Sequence, residues 1–257
     1  MPHLTDTKND HHRFIELQSV DSTNNYARLQ IQQGLAQDRL AIFAHHQTTG
    51  KGQRGKKWEA EKGANIALSV LIKPDFLKLS QQFSLSACIA VSVHQFLSNY
   101  ILDGLKIKWP NDLYWQDRKA GGILIESVVS SSSTENGKWL WAIAGMGINL
   151  NQTNFPDWIQ QPVSLKQITG KTFDTLLMAK ELCIFLDNNL FELQNAEFDK
   201  IFRYYNQMLF KRDEIVKLRK GGRAFEAQIK SVNQSGQLII QHATEEIIDF
   251  GEIEWVF

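Results

Sequence analysis

The run Lys108-Trp-Pro-Asn-Asp-Leu-Tyr-Trp-Gln-Asp-Arg-Lys-Ala-Gly-Gly-Ile-Leu-Ile-Glu126 brings three strand-like segments close together. Leu105–Trp109 is β-type, and Pro110 ends it because proline cannot donate to a sheet ladder. Asn111-Asp112 has turn chemistry. Leu113–Gln116 is β-type again, and Arg118-Lys119 leads into a third run, Gly121–Val129. A fourth, Lys138–Leu150, follows after a polar tract, Ser130–Thr134, that reads as a surface turn. Strand runs that follow one another directly, with helices gathered around them, lack the alternation of a doubly wound sheet. The reading is therefore an α+β layer and not a doubly wound parallel sheet.

Outward from this run the pattern is mixed. Arg13–Leu17 alternates like a strand. Ser22–Gln33 reads as a helix opened by Asp21/Ser22 and closed by Gly34. Leu40–His46 and Ala64–Ile72 are strand-like, the latter stopped by Pro74, and Gln47–Gly63 between them has no periodicity. Ser80–Tyr100, Phe173–Leu193 and Glu197–Met208 read as helices. The last part changes character: Glu214–Leu218, Ala224–Val232, Gln237–Gln241, Glu246–Phe250 and Ile253–Phe257 are short strands with turns at Gly221-Gly222 and Ser235-Gly236, the pattern of a small β-barrel. The predicted division is a polar tail over 1–12, a main domain over 13–210 and a β domain over 211–257.

The 257 residues carry 28 Lys and Arg against 28 Asp and Glu. That balance argues against a generic nucleic-acid or membrane-surface binder, while leaving room for local anion sites. With 43% hydrophobic residues the chain can bury a core without disulfides, so Cys88 and Cys183, both in helix-like stretches, are expected as buried free thiols of a reducing compartment. The first residues lack an apolar leader segment. Phe83–Leu97 is interrupted by Ser84, Ser86, Ser92, His94 and Gln95, which suits a buried helix better than a membrane span. A soluble cytoplasmic protein is expected, and the sequons at Asn151 and Asn233 are read as chance.

Four segments carry chemistry. Thr49-Gly-Lys-Gly-Gln-Arg-Gly-Lys-Lys-Trp58 places Gly50, Gly52 and Gly55 among Lys51, Arg54, Lys56 and Lys57, so backbone N–H groups and cations can approach an oxyanion together. It is not a P-loop, because Lys57 stands where the metal-binding hydroxyl should be. Read alone, it is as readily a solvated basic loop as an anion cradle. Lys119 precedes Ala120-Gly121-Gly122, a bare backbone beside which a lysine can reach into a cleft; an ordinary hairpin with a surface lysine has the same pattern. Gly145-Met-Gly-Ile-Asn-Leu150 lacks the third glycine and following helix of a dinucleotide fingerprint. Asp21-Ser-Thr-Asn-Asn25 is a helix cap whose polar groups also suit a ligand head group. No metal-ligand spacing and no nucleophile elbow occur.

Each segment is weak alone, but their order is distinctive. DSTN, GKGQRGKKW, KWPNDLYWQDRKAGGIL and GMGIN, followed by a small β domain, resemble the biotin–protein ligases (biotin–[acetyl-CoA-carboxylase] ligases) from about Phe14 to Phe257. The resemblance implies a class II synthetase-like catalytic domain, a mixed sheet with helices, followed by an SH3-like barrel. It implies activation of biotin by ATP, with Mg2+, to biotinyl-5′-AMP and pyrophosphate, then transfer to a lysine of a biotin carboxyl carrier domain. It implies a catalytic set of Lys119, Lys51 and Arg54, and biotin-binding positions Ser22, Thr23, Asn24, Gln47, Gly50, Lys51, Gly52, Gln53, Lys119, Gly121 and Gly122. ATP-binding positions would be Arg54, Lys56, Trp58, Lys108, Asn111, Asp112 and Asn149, with Asp112 as a magnesium or ribose-phosphate partner.

Two departures stand out. Lys51 and Gln53 occupy positions where the family commonly has arginine: the first keeps charge without bidentate geometry, and the second loses charge. The residues ahead of the first strand are too few for the helix-turn-helix of bifunctional members, so no DNA binding is expected. A monomer and a homodimer both remain open. Two other readings share parts of the pattern: a lipoate or octanoate protein ligase, and a non-catalytic biotin-binding module.

Overall fold

The computed structural model describes residues 13–130 and 138–256. The expected polar tail, the turn residues 131–134 and Phe257 lie outside the described residues. Period-two apolar alternation and the tight turns of the central run build one seven-stranded sheet. Its strands are β1 (Phe14–Leu17), β2 (Ala41–Ala44), β3 (Ile66–Ile72), β4 (Leu105–Lys108), β5 (Asp112–Trp115), β6 (Arg118–Val129) and β7 (Trp139–Ile148), in spatial order β1-β2-β3-β7-β6-β5-β4. Only β1 and β2 pair in parallel. The sheet is thus mixed, as expected.

Residues opposite one another across a ladder point to the same side. On one face Ile66, Leu68, Val70 and Ile72 of β3 align with Ala142, Ala144, Met146 and Ile148 of β7, all buried. They pack under α2 (Gln82–Ser98), α4 (Thr175–Gln194) and α5 (Phe198–Gln207) in the main core. The opposite face has a smaller cluster, in which Ala27 of α1 (Thr23–Gln32) meets Leu40, Ile42, Leu71 and Ile143. Burying side chains such as Leu68 or Ile143 contributes about 1.5–3 kcal/mol each. Beyond that cluster the second face turns small and polar: Ala67 and Ser69 of β3 align with Gly147 and Gly145 of β7, and Gly147 aligns with Gly122 of β6. This bare strip is the floor of a cleft.

Element boundaries follow the expectation closely. Helix α1 begins at Thr23, with Ser22 at the N-cap but without a side-chain cap bond. A five-residue helix, α3 (Leu165–Thr169), was not foreseen; a Ser164/Gln167 capping box opens it and Gly170 closes it. Cys88 and Cys183 are free and buried, and burial pushes both thiols up, which makes them poor nucleophiles. No helix among the described residues is long and apolar enough to cross a membrane.

The C-terminal strands β8 (Ile215–Lys220), β9 (Arg223–Val232), β10 (Leu238–Gln241), β11 (Glu245–Ile248) and β12 (Ile253–Trp255) form an antiparallel sheet in the order β11-β10-β9-β8-β12. Lys220 on β8 nevertheless donates to Glu246 on β11 at 2.7 Å, so the sheet curls strongly around Leu218, Ile229, Leu238, Ile240 and Ile248. This sheet meets the larger one's elements at Trp109, whose indole N–H donates to the Gly236 carbonyl at 2.8 Å and whose ring meets Phe250 edge-on. A Trp109→Phe substitution keeps a ring but strands that carbonyl, and a loss of about 1 kcal/mol of stability is expected in a denaturant melt. An unchanged midpoint would show that the bond adds nothing to the docking.

Candidate active site

Three walls stand around the glycine floor. The first is the start of α1. Thr23 donates from its backbone N–H to Gln47 Oε1 at 2.8 Å, and its hydroxyl lies 3.1 Å from the same oxygen. Ser69 Oγ lies 2.7 Å from Thr23 Oγ1 and 2.6 Å from Asn24 Oδ1. Asn24 Nδ2 donates to Glu126 Oε2 at 2.9 Å, and Arg28 pairs with the other carboxylate oxygen at 3.4 Å. Asn24 rests so closely on β7 that a Cβ at position 145 would overlap its amide. Ser22, Thr23, Asn24 and Ser69 are all buried, so the pocket beside them is polar but shielded.

The second wall is charged. Lys119 Nζ donates to Asp112 Oδ1 at 2.7 Å across β5 and β6, directly beside Gly122. Lys108 is the cross-strand partner of Asp112 and is buried over the Tyr114 ring at 4.4 Å and the Trp255 ring at 5.2 Å. Burial lowers its pKa to about 8, aided by the charges of Lys119 and Lys56 and opposed by Asp112. The two asparagines serve the frame: Asn111 Nδ2 donates to the Ile123 carbonyl, and Asn149 Nδ2 lies 3.3 and 3.2 Å from the Lys119 and Val163 carbonyls. They hold the ends of β5, β6 and β7 in register at the cleft.

The third wall is the basic loop, folded as a short hairpin. Gly50 and Trp58 are joined by a backbone bond, Gly52 donates to the Lys56 carbonyl at 2.7 Å, and Lys51 faces Lys57. Lys51 Nζ bonds Asn25 Oδ1 on α1. The Trp58 indole lies over the floor so closely that a Cβ on Gly147 would overlap it, and its Nε1 is a buried side-chain donor without a hydrogen-bond partner. At the tip Arg54 adopts φ 55° and ψ 40°, stacks 4.5 Å over the Phe250 ring and donates to the Phe250 carbonyl at 3.2 Å.

Most of the sequence-predicted residues therefore gather around one cleft, with Gly121 and Arg54 as exceptions. Ser22, Thr23, Asn24 and Gln47 line one end, Lys119, Asp112, Lys108 and Lys56 the other, and Trp58 spans the floor between them. Gly121 lies on the core face, opposite Gly122. Arg54 reaches the C-terminal sheet and not the Lys119–Asp112 pair. Ser69, Glu126, Tyr114 and Trp255 were not anticipated; strand periodicity places Ser69 and Glu126 on one face, but only the β3–β7–β6 register brings them to Asn24. Among the described residues no three acidic, histidine or cysteine side chains form a metal-ligating group.

Parts of the chain are similar to known proteins. Residues 16–142 match the model of the biotin/lipoate A/B protein ligase family. The chain is 36% identical over 135 residues to the bifunctional ligase/repressor BirA of Escherichia coli, covering 51% of this chain and 38% of that protein. It is 32% identical over 165 residues to the biotin–[acetyl-CoA-carboxylase] ligase of Paracoccus denitrificans, covering 62% and 65%. The matches thus span less than two thirds of either relative. The structure of the Aquifex aeolicus biotin protein ligase in complex with biotin and ATP superposes with a TM-score of 0.76 at 25% identity, over 94% of this chain and 97% of that one. Residues 16–142, which carry most of the cleft, are a domain of the biotin/lipoate A/B protein ligase family.

Proposed function

We propose that the chain is an ATP-dependent biotin–protein ligase. The observation that carries this reading is the Lys119–Asp112 pair set on a side-chain-free floor beside a buried polar pocket. Biotin's ureido head fits the pocket of Thr23, Asn24, Gln47 and Ser69, and its valeryl chain lies along the floor. The carboxylate then reaches Lys119. One carboxylate oxygen attacks the α-phosphorus of ATP, the bond to the bridging oxygen breaks, and pyrophosphate leaves with its electron pair. Two anions meet in this step, so Lys119, Lys108 and Lys56 offset charge where it develops. A magnesium ion arriving with the phosphates would find Asp112 as one carboxylate ligand, a common arrangement for this ion. The neutral amine of a carrier-domain lysine next attacks the acyl carbon, AMP departs with the P–O–C oxygen and its electron pair, the nitrogen sheds one proton to water, and an amide forms. Water would destroy the mixed anhydride, which gives Trp58 and the basic hairpin a covering task.

The relatives' printed names support biotin, and so does the pocket's hydrogen-bonding wall. A lipoate or octanoate head offers no urea to satisfy that wall, which disfavours the alternative substrates. The acceptor under this reading is the carrier domain of a biotin-dependent carboxylase. Biotin-dependent ATP–pyrophosphate exchange, with lipoate and octanoate as controls, tests the assignment. Exchange driven by lipoate alone would move the chain to the sister activity, and biotin binding without exchange would leave a binding module.

Lys119→Ala is expected to reduce biotin-driven exchange by about 100-fold or more, because it removes the cation nearest the reacting oxygens. Unchanged exchange would remove its central role. Lys108 loses its charge as pH rises through about 8. The KM for ATP should therefore rise between about pH 7 and pH 9, and Lys108→Arg, which keeps its charge, should flatten that rise. Gln53→Arg restores a cation and should slow release of the adenylate in a chase experiment; equal release rates would assign no such task to position 53.

A further inference from the structure

We propose that Glu126 is the specificity-determining positioning residue of the pocket, acting through Asn24 to set the direction of a hydrogen-bond chain. The proposal rests on the ligase reading and deepens it. A carboxylate can only accept, so Glu126 Oε2 at 2.9 Å fixes which end of the Asn24 amide is NH2. Asn24 Oδ1 must then face Ser69, whose single proton goes to it across 2.6 Å. With that proton spent, the Thr23 proton makes the shorter 2.7 Å contact to Ser69 Oγ and not the 3.1 Å contact to Gln47 Oε1, which the Thr23 backbone N–H already satisfies. The chain thus runs Thr23 to Ser69 to Asn24 to Glu126. It leaves a lone pair on Thr23 Oγ1 as an acceptor. Gln47 Oε1 is held by the Thr23 backbone N–H, which leaves Gln47 Nε2 as a donor.

Acceptor and donor side by side complement a cyclic urea, which carries N–H groups next to a carbonyl. They do not complement a dithiolane or an alkyl chain. Without Glu126 the amide, hydroxyl and hydroxyl could each reverse, because all three accept and donate equally well. Arg28 pairs with Glu126 from the outer side, with its side chain 39% exposed, and orients nothing further in the chain.

The test measures biotin affinity by calorimetry and steady-state KM on the full-length protein. Glu126→Gln offers either end to Asn24, and biotin KM should rise about tenfold while ATP KM stays unchanged. Arg28→Met keeps the carboxylate and should leave biotin KM within about twofold. The double variant Asn24→Asp/Glu126→Gln reverses the last link but still presents Ser69 with an acceptor, so it should recover most of the loss. Unchanged biotin binding by Glu126→Gln overturns the proposal. So does a loss in Arg28→Met equal to that in Glu126→Gln, or a folded double variant with no recovery. A wild-type chain that fails to bind biotin would remove the ligase reading and this assignment with it, whereas binding indifferent to position 126 removes this assignment alone.

Discussion

The close approach of α1 to β7 is the constraint on which the site depends. Asn24 sits against the backbone at Gly145, and the Trp58 indole sits against Gly147 two residues on. Alternate residues of a strand share a face, so these two glycines clear one continuous strip beneath the start of the helix and the basic loop. A methyl group at the first would push Asn24 away from Ser69 and Glu126 together. At the second it would lift the indole off the floor. The same strand is rich in apolar side chains on its other face, where Ala142, Ala144, Met146 and Ile148 meet the main helical layer. One strand therefore anchors the core with one face and opens the cleft with the other.

The charged wall follows different energetics. Lys119 and Asp112 are only half-buried, and ion pairs of that exposure contribute little to stability. Their worth is positional: the pair holds an ammonium group at the edge of the glycine strip. Lys108 is the costly member. It is buried among aromatic rings and two other cations, which is why it gives up its proton more easily than an ordinary lysine. A binding site for polyanions benefits from such an arrangement, because an incoming phosphate relieves a repulsion already stored in the empty protein.

Much of the fold was legible in the sequence. Pro110, the Asn111-Asp112 turn and the β-type runs from Leu105 to Leu150 announced consecutive strands, which the structure pairs antiparallel, and the turns at Gly221-Gly222 and Ser235-Gly236 announced the second sheet. The helix at Leu165–Thr169 was not legible, because five residues give no periodicity to read. The site was partly legible: motif residues pointed to Lys119, Thr23, Gln47 and Trp58 through a family resemblance. Ser69 and Glu126 sit in ordinary strand sequence, and their meeting at Asn24 depends on ladder register across three strands. The direction of Arg54 was equally hidden, since its partner lies in the other sheet nearly two hundred residues away along the chain.

That last contact makes the two parts of the molecule thermodynamic partners. The guanidinium fills the space over Gly251, where any Cβ would displace it, and covers the face of Phe250. Phe250 in turn touches Trp109, at the end of the strand that carries Lys108. Lifting the loop tip therefore undoes a contact that helps seat the C-terminal sheet, and loosening that sheet frees the loop. By reciprocity, a ligand that draws Arg54 away weakens the seating of the sheet by as much as the seated sheet weakens that ligand's hold on Arg54. The C-terminal sheet then acts as a counterweight on the loop, setting how much binding free energy is needed before the arginine changes sides.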